Sequence, residues 1–112
     1  MFSNYLEPVS NVTLAHLVLQ SNLSLGHNLI LHTKESGFPK IEGGEIAIIA
    51  IDEDRNALNN IGTGSNLEQV RKEFYQLYPG NWHRKMVDLG TIKKGNDVDD
   101  TYFALKEITT YL

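Results

Sequence analysis

Three consecutive carboxylates, Asp52, Glu53 and Asp54, follow directly on the apolar run Ile46–Ile51. Acids at the carboxyl end of a strand stand where open α/β sheets collect ligands, and carboxylates there can hold a divalent cation or act as a general base. Consecutive residues of an extended chain point in alternate directions, however, so neighbouring carboxylates do not converge on one ion. The histidines are His16, His27, His32 and His83. None has the i, i+4 spacing of a helical H-E-x-x-H zinc site, and the five-residue step from His27 to His32 turns the rings to opposite faces of a strand. No serine sits in a G-x-S-x-G elbow. With no cysteine, thiol nucleophiles, thiolate metal sites and disulfides are all excluded. These patterns predict no catalytic residue and no metal ligand in the chain.

Phosphate binding is the other chemistry to weigh, at Gly62-Thr63-Gly64-Ser65. A Walker loop needs G-x-x-x-x-G-K-[ST], and here the lysine and the spacing are both missing. The dinucleotide fingerprint fails because ten residues separate Ile51 from Gly62 and Leu67 stands where the third glycine belongs. A half-Rossmann nucleotide binder is therefore disfavoured. What remains is a capping box, Ser65-Asn66-Leu67-Glu68, in which the Ser65 hydroxyl and the Glu68 side chain satisfy helix-start amides.

The elements that would position these residues sharpen from residue 45 onward. Ile46-Ala47-Ile48-Ile49-Ala50-Ile51 has no polar alternation and reads as a parallel strand covered on both faces. After the capping box, Leu67, Val70, Phe74, Leu77 and Tyr78 recur at helical steps as one apolar face, with Glu68, Gln69, Arg71, Lys72, Glu73 and Gln76 turned away. Pro79-Gly80-Asn81 stops that helix, and Trp82 beside it reads as a packing anchor for the turn or, next to His83 and Arg84, as a contact surface. A second strand is predicted over 86–90. Asp97, with Asp100 three residues on, opens a last helix whose face is Val98, Tyr102, Leu105, Ile108 and Leu112. Strand, helix, strand, helix implies a right-handed parallel crossover. Residues 1–43 form an irregular leader with a short helix over 13–20 and a possible strand over 29–32, so the chain reads as one domain made of this leader and a βαβα unit over 44–112.

With 14 acidic and 10 basic residues the net charge is −4, which gives no footprint for nucleic acid and no basic patch for an anionic membrane. The start, MFSNYLEPVS, has no basic region, and the apolar stretch 14–19 is too short to span a bilayer, so the expected location is the cytoplasm. The sequons at Asn11 and Asn22 are then chance matches.

Read as a unit, residues 41–112 resemble the N-terminal portion of the ureohydrolase superfamily, the arginase, agmatinase and formimidoylglutamase group. "VDLG" and "DDTYFALKE" carry the likeness most specifically, together with the helix "LEQVRKEFYQLY" and the strand and loop "IAIIAIDEDRNALNNIG". "LEPVS" and "SLGHNLILHTKE" resemble the variable leader of formimidoylglutamase-like members. The resemblance implies part of a three-layer α/β/α fold with a mainly parallel sheet, and hydrolysis of a guanidino or formimino C–N bond by hydroxide bridging two Mn²⁺ ions. The family's ligands lie in G-G-D-H, D-A-H-x-D and D-x-D segments beyond the stretch matched here, so no metal ligand is carried over. Mn²⁺ and a small guanidino or formimino substrate are thus implied only for a longer parent. This chain reads as its inactive N-terminal third. The positions that carry over are Arg55, Asn59 and Asn60, in the loop that faces the substrate entrance. A strand cut from its sheet would leave a free edge beside Ile46–Ile51, so self-association is expected, by edge pairing or by exchange of the leader or last helix. The alternative is a self-standing, non-catalytic α/β interaction domain that self-associates or binds a protein partner through its exposed sheet edge or helix faces; in a monomer the strand over 29–32 would cover that edge.

Overall fold

A computed structural model describes residues 2–59, 61–81 and 84–112, and for Phe2, Thr63 and Ser65 the backbone alone. Along the chain lie β1 (Leu6–Glu7), α1 (Asn11–Val18), β2 (Ile30–Leu31), β3 (Ile46–Ile51), α2 (Leu67–Tyr75), β4 (Met86–Ile92) and α3 (Val98–Tyr111). The order from β3 onward is the expected βαβα. α1 starts two residues before the expected position because Ser10 caps it, its side chain accepting from the Thr13 amide at 3.2 Å.

β4 is the centre of a mixed sheet, with β3 along one edge and the leader strands sharing the other. β2 and β3 run parallel to it, whereas β1 runs antiparallel, so the sheet departs from the parallel arrangement expected. The leader is therefore structural, because it supplies the strands that close the far edge of β4. β2 pairs there and not with β3, whose outer edge has no strand partner among the described residues.

Pairing of β3 with β4 steps from Ile48 opposite Asp88 to Ala50 opposite Thr91, so β4 carries one extra residue, a bulge at Leu89-Gly90. Gly90 adopts φ 99, and a Cβ there would run into the Glu7 carbonyl oxygen of β1. The bulge changes which face each residue meets. Val87, Leu89 and Ile92 join Leu6 and, from α3, Ala104 and Ile108 in one core cluster. Asp88 and Thr91 turn to the opposite face, where both meet Arg71 of α2. There Val9, Leu17 and Tyr75 form the second cluster, and α1 lies against α2. The helices thus cover opposite faces of β4.

Two sequence expectations change here. β3 is half-exposed instead of covered on both faces, with Ile51 40% exposed, because it is an edge strand. The buried residues of α2 are Arg71 and Tyr75, while Val70, Leu77 and Tyr78 of the predicted face are 61%, 56% and 68% exposed. A carboxylate on the strand below, Asp88, draws the polar pair inward and rotates the helix by about one residue. The cap of α2 also moves, to Asn66, which makes no side-chain capping bond, and a 3-10 turn over Thr63–Asn66 leads into the helix. In α3 the Asp97 cap is as expected, its side chain accepting from the Asp100 amide at 2.9 Å. Its buried face holds Ile108 with Thr101 and Ala104, while Tyr102 and Leu112 are exposed.

Candidate functional site

β3 and β4 end on the same side of the sheet, and the connections that follow them, 52–66 and 93–97, lie where α/β sheets gather ligands. Arg55 ties the two connections together. Its Nε donates to Glu53 Oε2 at 2.8 Å and its Nη2 to Glu53 Oε1, so the pair is bidentate. Across the gap Nη2 reaches the Gly95 carbonyl and Nη1 the Asn96 carbonyl, each at 3.1 Å, and Nη2 also reaches Thr101 Oγ1 at 3.3 Å. The guanidinium hydrogen bonds hold the Glu53 carboxyl down to about 2, against a burial effect of opposite sign. Glu53 in return raises Arg55 above its ordinary value.

Asp54 turns the other way. One carboxylate oxygen accepts from the Gly62 amide at 2.6 Å and the Gly64 amide at 3.0 Å, with Lys94 Nζ 3.8 Å from the other. The Gly64 and Gly62 amides lower its pKa. The backbone donors that a phosphate would need are thus occupied by an internal anion, which gives a physical reason why this glycine turn is no phosphate cradle. Asp52 lines a cleft of about 230 Å³ with Glu7, Gly64, Glu68, Arg71 and Thr91. Glu53 therefore turns away from Asp52 and Asp54, whose carboxylates both lie beside Gly64, as backbone alternation requires. Among the described residues no group of three or more His, Asp or Glu could hold a metal ion. The donor set present does not fit a pair of Mn²⁺ ions.

Of the carried-over positions, Arg55 is committed to Glu53 and the 95–101 segment, and Asn59 is exposed at the loop tip with φ 60. The two are not brought into one pocket. Asn60 lies outside the described residues, as do Trp82 and His83. The other histidines are apart: His27 Nε2 bonds the Leu17 carbonyl at 2.7 Å, and buried His32 bonds the Leu89 carbonyl through Nδ1 at 2.9 Å with Phe38 edge-on beside it.

The polar centre that the periodicity misses is Arg71, Tyr75 and Asp88. Asp88 is fully buried and accepts from Arg71 Nε and Nη2, from the Gly90 amide, each at 3.0 Å, and from the Tyr75 hydroxyl. Arg71 spends two more of its donors on Thr91 Oγ1 and the Gly90 carbonyl, both at 2.8 Å. Burial and then the adjacent carboxylate push the Tyr75 phenol far above its ordinary value. Burial works against the Arg71 charge, but Asp88 holds it above the usual arginine value. With the acceptor sites of Asp88 taken by Arg71, Tyr75 and the Gly90 amide, this cluster positions the helix and the bulge. The available signal was an acid inside an apolar strand, Val87-Asp88-Leu89, which demands a buried cation nearby.

Among the described residues no helix is long and apolar enough to cross a membrane. Compared with models of protein families, with curated proteins and with solved structures, the chain has no match.

Proposed function

We propose that this chain is the N-terminal portion of a ureohydrolase-like cytoplasmic protein whose complete form hydrolyses a guanidino or formimino C–N bond at a di-manganese centre. The metal ligands belong to a part of the family pattern that residues 41–112 do not match, so the chain by itself is inactive. One observation supports this reading: the loop that carries the resemblance, from Asp52 to Asn59, leaves a parallel strand at its carboxyl end beside the segment after β4. On this reading Arg55 is a positioning residue that fixes the rim of the entrance, in a substrate-side loop whose sequence also carries Asn59 and Asn60. Sequencing the native message past Leu112 tests it. Continuation into G-G-D-H and D-A-H-x-D segments, with Mn²⁺-dependent turnover of formimidoylglutamate, agmatine or arginine by the longer product, is the expected result. A stop codon directly after Leu112 overturns it.

The outer edge of β3, which has no strand partner among the described residues, favours a second reading, a non-catalytic α/β interaction domain that self-associates or binds a protein partner. A stop codon would select that one.

A further inference from the structure

We infer that the hollow between the carboxyl ends of α1 and α2 binds a small neutral polyhydroxyl ligand, a single sugar ring or a cyclitol. This goes beyond the hydrolase reading and does not rest on it.

Two buried oxygens carry the inference. Ser24 is 1% exposed and its Oγ has no hydrogen-bond partner among the described residues; Gln20 Oε1 is likewise buried and unpartnered. Each calls for a partner from outside the chain, because a buried polar atom left unpaired costs free energy. Ser24 precedes the 3-10 turn Leu25–Asn28 with φ −68 and ψ 154, almost the angles of Ser10, −67 and 153, before α1. From that position Ser10 bonds the Thr13 amide, whereas the Ser24 side chain makes no capping bond. Its hydroxyl is spared from the role its place in the chain offers.

Both residues line one hollow of about 370 Å³, together with His16, Ser21, Gln76 and Tyr78. Because α2 leads back from the carboxyl end of β3 to the amino end of β4, this hollow lies at the end of the sheet away from the 52–66 loop. Its walls are fixed. The Leu25 amide donates to the Leu77 carbonyl at 2.6 Å, His27 Nε2 donates to the Leu17 carbonyl at 2.7 Å, and a Cβ at Gly26 would run into Leu17 and Tyr75. The site is preformed, as small-molecule sites generally are.

The lining selects the ligand. Gln20 Oε1 needs a donor and Ser24 Oγ can give or take, so a hydroxyl group satisfies either. Of the described residues that line the hollow none is an acid, a lysine or an arginine, so an ion would lose water there without a counter-charge. The negative ends of two helix dipoles further disfavour an anion. Leu19 and Tyr78, 84% and 68% exposed, add apolar surface beside the amides and hydroxyls. That mixture suits a ring hydroxylated around its edge and apolar on its C–H face.

Amide NMR shifts of the intact chain, followed during titration with glucose, galactose and myo-inositol, test this. A saturable shift at Gln20, Ser24 and Gln76 with at least one of the three is expected, and neither methylammonium nor inorganic phosphate should produce it. Ser24→Ala and Gln20→Leu should each weaken binding about tenfold or more, with the melting temperature unchanged or higher, because each removes an unpaired buried oxygen. Tyr78→Ala, at an exposed position, should weaken binding without disturbing the fold. The methyl glycoside of the better-binding sugar separates two sources of the same chemistry: equal binding assigns the end of a glycan, and lost binding assigns the free sugar. No saturable shift with any of the three leaves the two oxygens to water and overturns the inference. So does an equal response to methylammonium or phosphate, binding that survives both Ser24→Ala and Gln20→Leu, or a marked fall in melting temperature in both variants.

Discussion

Arg71 and Asp88 meet through two parallel bonds of 3.0 Å, Nε to Oδ2 and Nη2 to Oδ1, in the interior between α2 and β4. A buried pair of this kind is costly to break from one side, because the remaining charge has neither water nor partner. Arg71→Met should lower the unfolding free energy by about 3–5 kcal/mol, whereas Arg71→Met with Asp88→Leu should lose less than the sum of the two single changes. Urea unfolding of the single and double variants measures the difference.

Gly90→Ala adds a Cβ at a left-handed position and against the Glu7 carbonyl. The strain alone costs about 1–3 kcal/mol. The expected signature is a lower melting temperature together with faster amide exchange at the β1 contact with β4, since β1 must move away.

Some of this design is legible along the chain and some is not. The apolar run of β3 and the Asp97 cap of α3 are local signals, and the structure keeps them, whereas α2 ends at Tyr75, ahead of the stop expected at Pro79-Gly80-Asn81. The burial of Arg71 is not local: it depends on Asp88, 17 residues away and on another element. A helical wheel therefore assigns Arg71 to solvent and Val70 to the core, and both assignments fail. The clamp at the sheet's carboxyl end is hidden for the same reason, since Arg55 meets Gly95, Asn96 and Thr101 only after β4 has been laid beside β3.

Glu53 sets an acid dependence. Its folded pKa, about 2, lies below the ordinary 4.5, so the folded protein binds fewer protons here than the unfolded chain in the window between them. The stabilisation is fully present above that window and is lost as pH falls through it. Unfolding curves of the wild type and Glu53→Gln, compared from neutral pH down toward pH 3, should differ most at neutral pH and converge in acid.

Asp54→Ala removes the internal anion from the Gly62 and Gly64 amides. Those two amides should exchange faster while the amides of β4 keep their protection. In the wild type, added phosphate should leave the melting temperature unchanged, because its donors are already used.

Mn²⁺ titrated into the chain should give no stoichiometric heat in the micromolar range. Glu53 is committed to Arg55 and Asp54 to two glycine amides, and among the described residues no group of three or more His, Asp or Glu could hold the ion. Calorimetry with a clear one-to-one or two-to-one isotherm would contradict this.

The extra residue in β4 acts on the strand as a shift of reading frame acts on a message. Up to Asp88, even-numbered positions face α2; from Thr91 onward, odd-numbered positions do. Removing one residue between them would restore the regular pleat and exchange the destinations of Thr91 and Ile92. A hydroxyl would enter the apolar cluster under α3, and an isoleucine would be set against the Arg71 guanidinium. Length between Asp88 and Thr91 is therefore constrained more tightly than the identity of the residue at position 89. Other large aliphatic side chains can stand at Leu89, but a chain one residue shorter there has no way to satisfy both faces at once.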